Sequence, residues 1–275
     1  MMSRRGLTAT VRATWRTMTI TARGELLSPT RITAGAARLA MQIFLMVCLW
    51  HALYADSSSS AGLTMPQAVS YAVLSTLAVR IRTTNRSGAR DTVYQHVQSG
   101  TIVYWYARPL TPQRYYLLRG AGDQLYGFAW ACAAYAICLV AGVVSPPASI
   151  GAALAFAVTL ALGHVLLYYL VLLSDQLCFW MIKNSAGMDI LAFALNLLSG
   201  AYAAIWFFPG WFRTVSAVLP FQYTLGVPLS FYVGRLDTSA LLEQVAVQIA
   251  WITVLALITR RMWRKASERV VSQGG

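Results

Sequence analysis

The residues of this chain that could do acid–base, nucleophilic or metal chemistry are few and scattered. Nine Asp and Glu, three His and four Cys are spread over 275 residues. A metal needs ligands that converge, and His51, His96 and His164 share no spacing that would achieve it. Cys48, Cys132, Cys138 and Cys178 stand in or beside apolar runs without a Cys-x-x-Cys pair, so they read as small packing residues. No Gly-x-Ser-x-Gly elbow and no His-Glu-x-x-His is present. The two lysines, Lys183 and Lys265, lie outside any Gly-x4-Gly-Lys-Ser/Thr context, so no loop can cradle a nucleotide's phosphates. No catalytic, cofactor-binding or metal-binding residue is expected.

Single polar residues invite structural roles instead. His164 reads as a hydrogen-bonded packing residue. Asp123 opens the third apolar run and suits a helix N-terminus. Asp175, Lys183 and Asp189 flank a short connection and read as solvated. Asn196 and Gln176 are expected to hydrogen-bond across helices. Deep in the apolar runs essentially only His164 is ionisable, whereas ion-driven carriers keep charges inside the membrane. Energy for any transport must come from outside the bilayer.

The elements that would hold these residues are membrane spans. The chain is 57% hydrophobic and only 11% charged, against roughly 25% charged in soluble domains. Six apolar runs cover about residues 39–55, 63–79, 125–144, 151–173, 190–208 and 245–259. A helix needs about 20 residues to cross, so the shorter runs must borrow flanking residues. Backbone groups in lipid must be satisfied within the segment, which makes the runs helices. Trp50, Tyr54, Trp206, Trp211 and Trp251 fall near expected interfaces.

Charge sets the orientation. Residues 1–38 and 80–119 hold seven Arg each, residues 173–189 one Lys, and the tail after Thr259 five Lys and Arg. The alternate connections hold only Arg213 and Arg235. Excess Lys and Arg mark cytoplasmic loops, so both termini are expected in the cytoplasm. The net charge of +13 reflects this topology and attraction to anionic lipids, not nucleic-acid binding. In residues 1–30, Leu7, Val11, Trp15, Met18 and Ala22 recur at helical spacing with arginines off that stripe. This predicts an amphipathic helix in the membrane interface, ended by Ser28-Pro29. Residues 31–275 form the six-helix domain. The outer connection 209–244 begins apolar, which predicts short helices dipping into the outer leaflet.

The long inner connection is where a soluble partner would push. Arg90, Asp91, Val93, Tyr94, Val97 and Gln98 fall in a short helical stretch with an apolar edge, ended by Ser99-Gly100. From here the sequence resembles the membrane subunits of ABC-2 type transporters, in particular single-domain permeases of the drug or viologen exporter subgroup. The resemblance rests on Ser99-Gly100-Thr101-Ile102, on Arg108-Pro109-Leu110 before the third run, on Leu198-Ser199-Gly200, and on Leu219-Pro220-Phe221 with Pro228 before the last run. Tyr106-Ala107 replaces the subgroup's usual apolar pair, and residues 201–208 depart from its commonest form.

The resemblance implies an all-α integral membrane fold of six transmembrane helices, of type V exporter-like architecture, in the cytoplasmic membrane of a bacterium. It implies an exporter subunit, not an enzyme, for a hydrophobic or amphipathic small molecule, peptide or lipid-like cargo. Two ABC ATPase subunits would bind ATP and Mg, so no cofactor belongs to this chain. They would couple through the stretch at Asp91–Gln98. A second permease copy or a sister permease would pair along small residues of the fifth run, Ala192, Ser199, Gly200 and Ala203. Membrane lipids are the remaining partners. A non-transporting scaffold or sensor subunit stays open, as does an intramembrane lipid-modifying enzyme, which would need polar residues that converge.

Overall fold

The computed structural model describes residues 29–55, 59–60, 62–87, 112–180 and 185–273, with 96, 99–101 and 104 as isolated positions. The interface helix expected over 1–30 lies outside the described residues as far as position 28. So do Arg90, Asp91, Val93, Tyr94, Val97, Gln98, Arg108, Pro109 and Leu110. The described residues form eight α-helices: α1 Pro29–Leu53, α2 Met65–Ser87, α3 Pro112–Val140, α4 Ile150–Gln176, α5 Ser185–Leu198, α6 Gly210–Val218, α7 Gly226–Tyr232 and α8 Leu241–Gln273. One small antiparallel ladder, Ser59–Ser60 with Leu63–Thr64, joins α1 to α2.

Each of the six apolar runs carries a helix. By length and composition three segments can cross a membrane: Ile32–Leu53, Ile150–Gln176 and Thr238–Ala266. α2 is more polar, and its burial explains why. Ala68, Val69, Ser70, Tyr71, Val73 and Ser75 are all buried, so α2 is the centre of its bundle and need not match lipid. Its hydroxyls find protein acceptors: Ser75 Oγ donates to Ala201 O at 2.7 Å and Tyr71 OH to Gly200 O at 3.0 Å.

Contacts sort the connections onto two ends. At one end Tyr54 OH donates to Leu63 O, Gln67 Nε2 to Val233 O, and Tyr232 OH to Ser145 O. Ala148 N also donates to Tyr232 O there. The three connections expected outside the cell thus meet. At the other end Phe179 packs on Trp263, and Gln176 Nε2 reaches Thr259 O at 3.2 Å. Gly127 lies against the backbone of Ile81 there. α4 and α8 run parallel, since Thr159 pairs with Gln248 near their starts and Gln176 with Thr259 further on.

Two apolar cores result. One joins α1, α2 and α3 through residues such as Leu39, Val73, Leu77 and Ala131. The other joins α4, α5 and α8 through Leu166, Leu170, Leu195 and Leu255. The short helix α7 wedges between them. Leu225, Leu229, Tyr232 and Val233 belong to the first core, and Tyr223, Val227 and Phe231 to the second. Both sets recur at three- or four-residue spacing, which places them on two faces of one helix. Every residue of α7 is buried.

The way into this wedge is a plunge of the outer connection. Residues 223–226 pass so close to α4 that a Cβ on Gly163 would stand 2.9 Å from the carbonyl oxygens of both Tyr223 and Thr224. Gly163 lies about 20 Å along α4 from Ile150, so the segment reaches mid-depth and α7 returns it. The expectation of short helices dipping inward is met by α7. α6 stays at the margin, with Trp211 and Val218 each 69% exposed.

Three expectations are corrected. The fifth helix ends at Leu198, not near Phe208. Gly200 takes φ +78°, and Ala201 N bonds Asn196 O while Gly200 N bonds Leu197 O, closing the helix with a left-handed cap. Asp123 lies inside α3, which starts at Pro112, a residue suited to a first helical turn. Asp175 is only 2% exposed, not solvated, because α4 runs on to Gln176.

The close approach at Gly163 generates a prediction. Gly163→Val should cost ~2–3 kcal/mol, read as a lower thermal midpoint and yield in detergent. Gly100→Ala, at φ +70° with nothing within 4 Å of the added carbon, should cost about 1 kcal/mol. Equal losses would contradict the proposed contact.

Candidate functional site

Beside the wedge the two cores part and leave a cavity of about 620 Å³ between α2, α3, α4 and α7. Small-molecule sites typically occupy roughly 300–1,000 Å³, so its size fits one ligand. Its walls are apolar: Leu74, Leu77 and Ile81 from α2, Ala131 from α3, Phe156 and Leu160 from α4. No Asp, Glu, Lys or Arg is among the described residues that line it. The gap opens sideways between α3 and α4. Phe128 and Cys132 on α3 are exposed, as are Ala157 and Ala161 on α4, and these make its two lips.

Polar atoms gather at its ends. At one end stand Gln124 and His164. His164 Nδ1 lies 2.8 Å from Leu160 O, and because a carbonyl only accepts, Nδ1 carries the proton. The hydrogen-bonded packing role expected of His164 is present, and the ring also lines the cavity. The other end is shut by tyrosines. Tyr232 OH donates to Ser145 O at 2.8 Å, so Tyr135 OH supplies the proton of the 2.9 Å bond between the two hydroxyls. Ser145 N in turn donates to Ser70 Oγ at 2.9 Å. Phe156 stacks edge-on to Tyr232 at 5.2 Å. α2, α3, α4 and α7 are thus tied together where the cavity closes.

The irregular segment beside the cavity depends on a residue that sequence reasoning missed. Gln248, fully buried on α8, donates through Nε2 to Thr159 O and Tyr223 O, both at 2.8 Å. Its signal was a glutamine inside an otherwise apolar run. Gln176 bridges α4 to α8 as expected. Asn196 instead stays within its own segment, 3.5 Å from Tyr202 OH.

The residues singled out in the fifth run divide. Ser199 is 0% exposed, and its carbonyl would meet a Cβ on Gly226 at 2.9 Å. Gly200 is buried beneath the Tyr71 hydroxyl, which leaves 2.6 Å for an added carbon. Both are committed to the chain's own interior. Ala192 and Ala203 are half-buried, and Ile190 and Phe193 form the exposed side of α5. Leu219-Pro220-Phe221 makes the elbow from which the chain enters the bundle, with Pro220 buried and Phe221 packed on the second core. Gly100 is exposed. Arg235 sits 4.9 Å over the Trp206 ring, so one of the two arginines expected on the outer side is held by cation–π contact. Among the described residues no three metal-ligating side chains converge.

The tyrosine closure is testable by substitution. Tyr135→Phe removes one hydrogen bond and should cost about 1 kcal/mol of stability in detergent. Tyr232→Phe removes two and should cost about twice that. The double variant should lose little beyond Tyr232→Phe alone, and strict additivity in the double-mutant cycle would show that the hydroxyls are not coupled.

No curated protein and no solved structure matches the chain. Residues 39–274 match the family described as ABC-2 family transporter protein. That match covers all eight helices but the start of α1, including the wedge and the cavity walls. The chain belongs to the ABC-2 family of transporter membrane proteins.

Proposed function

We propose that the chain is the permease subunit of an ABC exporter and moves a hydrophobic or amphipathic small molecule, peptide or lipid-like cargo. The observation that carries this reading is membership of a transporter family by a chain with no sequence able to hold a nucleotide. The energy then comes from a separate pair of ATPase subunits, which bind ATP and Mg. Six helices cross the cytoplasmic membrane of a bacterium. The end that gathers Arg38, Arg80, Arg260, Arg261, Arg264 and Lys265 faces the cytoplasm, and the end with Arg213 and Arg235 faces out.

Two permeases pair, as copies or as sister chains. The exposed side of α5, with Ile190 and Phe193, supplies contact area, and Ala192 and Ala203 allow close approach. The ATPases dock on the stretch containing Arg90, Asp91, Val93, Tyr94, Val97 and Gln98, and the basic leader braces it. Gly100 ends that stretch, and Arg108-Pro109-Leu110 sets the turn into α3. ATP-driven closure of the ATPases moves this inner connection. The two cores, joined around α7, are suited to rock against one another and to exchange access to the space between them.

Two measurements check this reading. Val93→Asp or Val97→Asp should reduce co-purification of the ATPase at least tenfold while membrane insertion is unchanged. Undiminished capture by both variants rejects the docking stretch. With the four native cysteines replaced by alanine, Ser272→Cys should resist an impermeant maleimide in intact cells and react after lysis. Labelling from outside would reverse the orientation.

A further inference from the structure

We infer that the slot between α3 and α4 binds one neutral amphiphile dissolved in the membrane, such as a long-chain alcohol, admitted sideways from the lipid. The slot's shape argues for a slender body. From Ala153 to His164 it follows α4 for about 17 Å, roughly half of the ~30 Å hydrocarbon core. Between its ends the walls are aliphatic and aromatic, with Leu74, Leu77 and Leu160 facing a single chain.

The direction of access follows from the lips. Phe128, Cys132, Ala157 and Ala161 line the slot and are also exposed on the surface of a membrane protein, where lipid is the solvent. A ligand reaching them comes from the bilayer. Among the described residues no charged side chain lines the slot, which favours a neutral head. A phosphate, carboxylate or ammonium at this depth would lack a counter-charge. Tyr135 OH donates to Tyr232 OH, which donates to Ser145 O at the closed end. At the opposite end Gln124 offers the amide that receives the head, which hydroxyl or amide chemistry suits.

The inference rests on the export reading only for its consequence in transport, and binding is measured without the ATPase. The full chain is placed in phosphatidylcholine vesicles and irradiated with a diazirine-bearing long-chain alcohol, the matching fatty acid, or a diazirine phosphatidylcholine. Labelled peptides are mapped by mass spectrometry. The alcohol should label the two lips saturably and yield to unlabelled alcohol. The fatty acid and the phospholipid should label lipid-facing helices without saturation.

Ala157→Trp, whose side chain starts at the exposed lip, should reduce saturable labelling at least tenfold with an unchanged thermal midpoint. Gln124→Leu should raise the half-saturating concentration by roughly tenfold, the loss expected for one or two hydrogen bonds. Equal saturable labelling by the fatty acid overturns the neutral head. Wild-type labelling of Ala157→Trp overturns the slot. With Cys132 as the sole cysteine, a cross-link between copies that the alcohol does not suppress assigns the slot to a second permease and also overturns it. Saturable labelling that ATP does not alter in the complex with the ATPase supports the slot while overturning export of its ligand.

Discussion

Residues 219–226 carry irregular backbone into the middle of an apolar bundle, where no water can satisfy a carbonyl or an amide. Everything near the cavity follows from how that is solved. Gln248 places one amide nitrogen between the carbonyls of Thr159 and Tyr223, binding α8, α4 and the plunging segment at a single point. Gly163 and Gly226 remove the side chains that would keep these backbones apart. An unmatched polar group in hydrocarbon costs several kcal/mol, so irregular backbone at this depth survives only inside such a cage.

Once the segment is held, α7 can present two apolar faces and act as a divider. One face completes the core of α1, α2 and α3, and the other that of α4, α5 and α8. The α7 segment runs beside α4 over the same depth as the cavity, and Leu225, Leu229 and Tyr232 line it. The cavity is the space left between that face and α2, α3 and α4. The hydroxyl pair of Tyr135 and Tyr232 closes one end. An element shared by two cores fits the proposed rocking of the halves, because each half would keep its own packing while the contact across α7 changes.

Much of the plan was legible in the residues. Apolar runs located the six principal helices, and basic residues sorted the connections onto two sides before any contact was known. The order of Ser199-Gly200, Leu219-Pro220-Phe221 and Pro228 pointed to the transporter family. What misled was local grammar read without tertiary neighbours. Asp123 looked like a helix start because apolar periodicity begins after it, yet α3 continues through polar residues back to Pro112. The fifth run stayed apolar to Phe208, but a left-handed Gly200 ended its helix at Leu198. Ser199 and Gly200 looked like small residues suited to a partner chain and are instead buried against Tyr71 and Gly226.

Composition and charge order by themselves determined that this is a membrane protein with alternating basic connections and no nucleotide-binding loop. Those are properties of single residues against lipid or water, and they need no partner in space. The tertiary structure decided which small residues face inward, that the outer connection plunges to Gly163, and that a cavity lies between two cores. These depend on close approach between segments far apart in the chain. Gly163 meets Tyr223, and Gln248 meets Thr159, only because helices with no sequence relation to one another pack side by side.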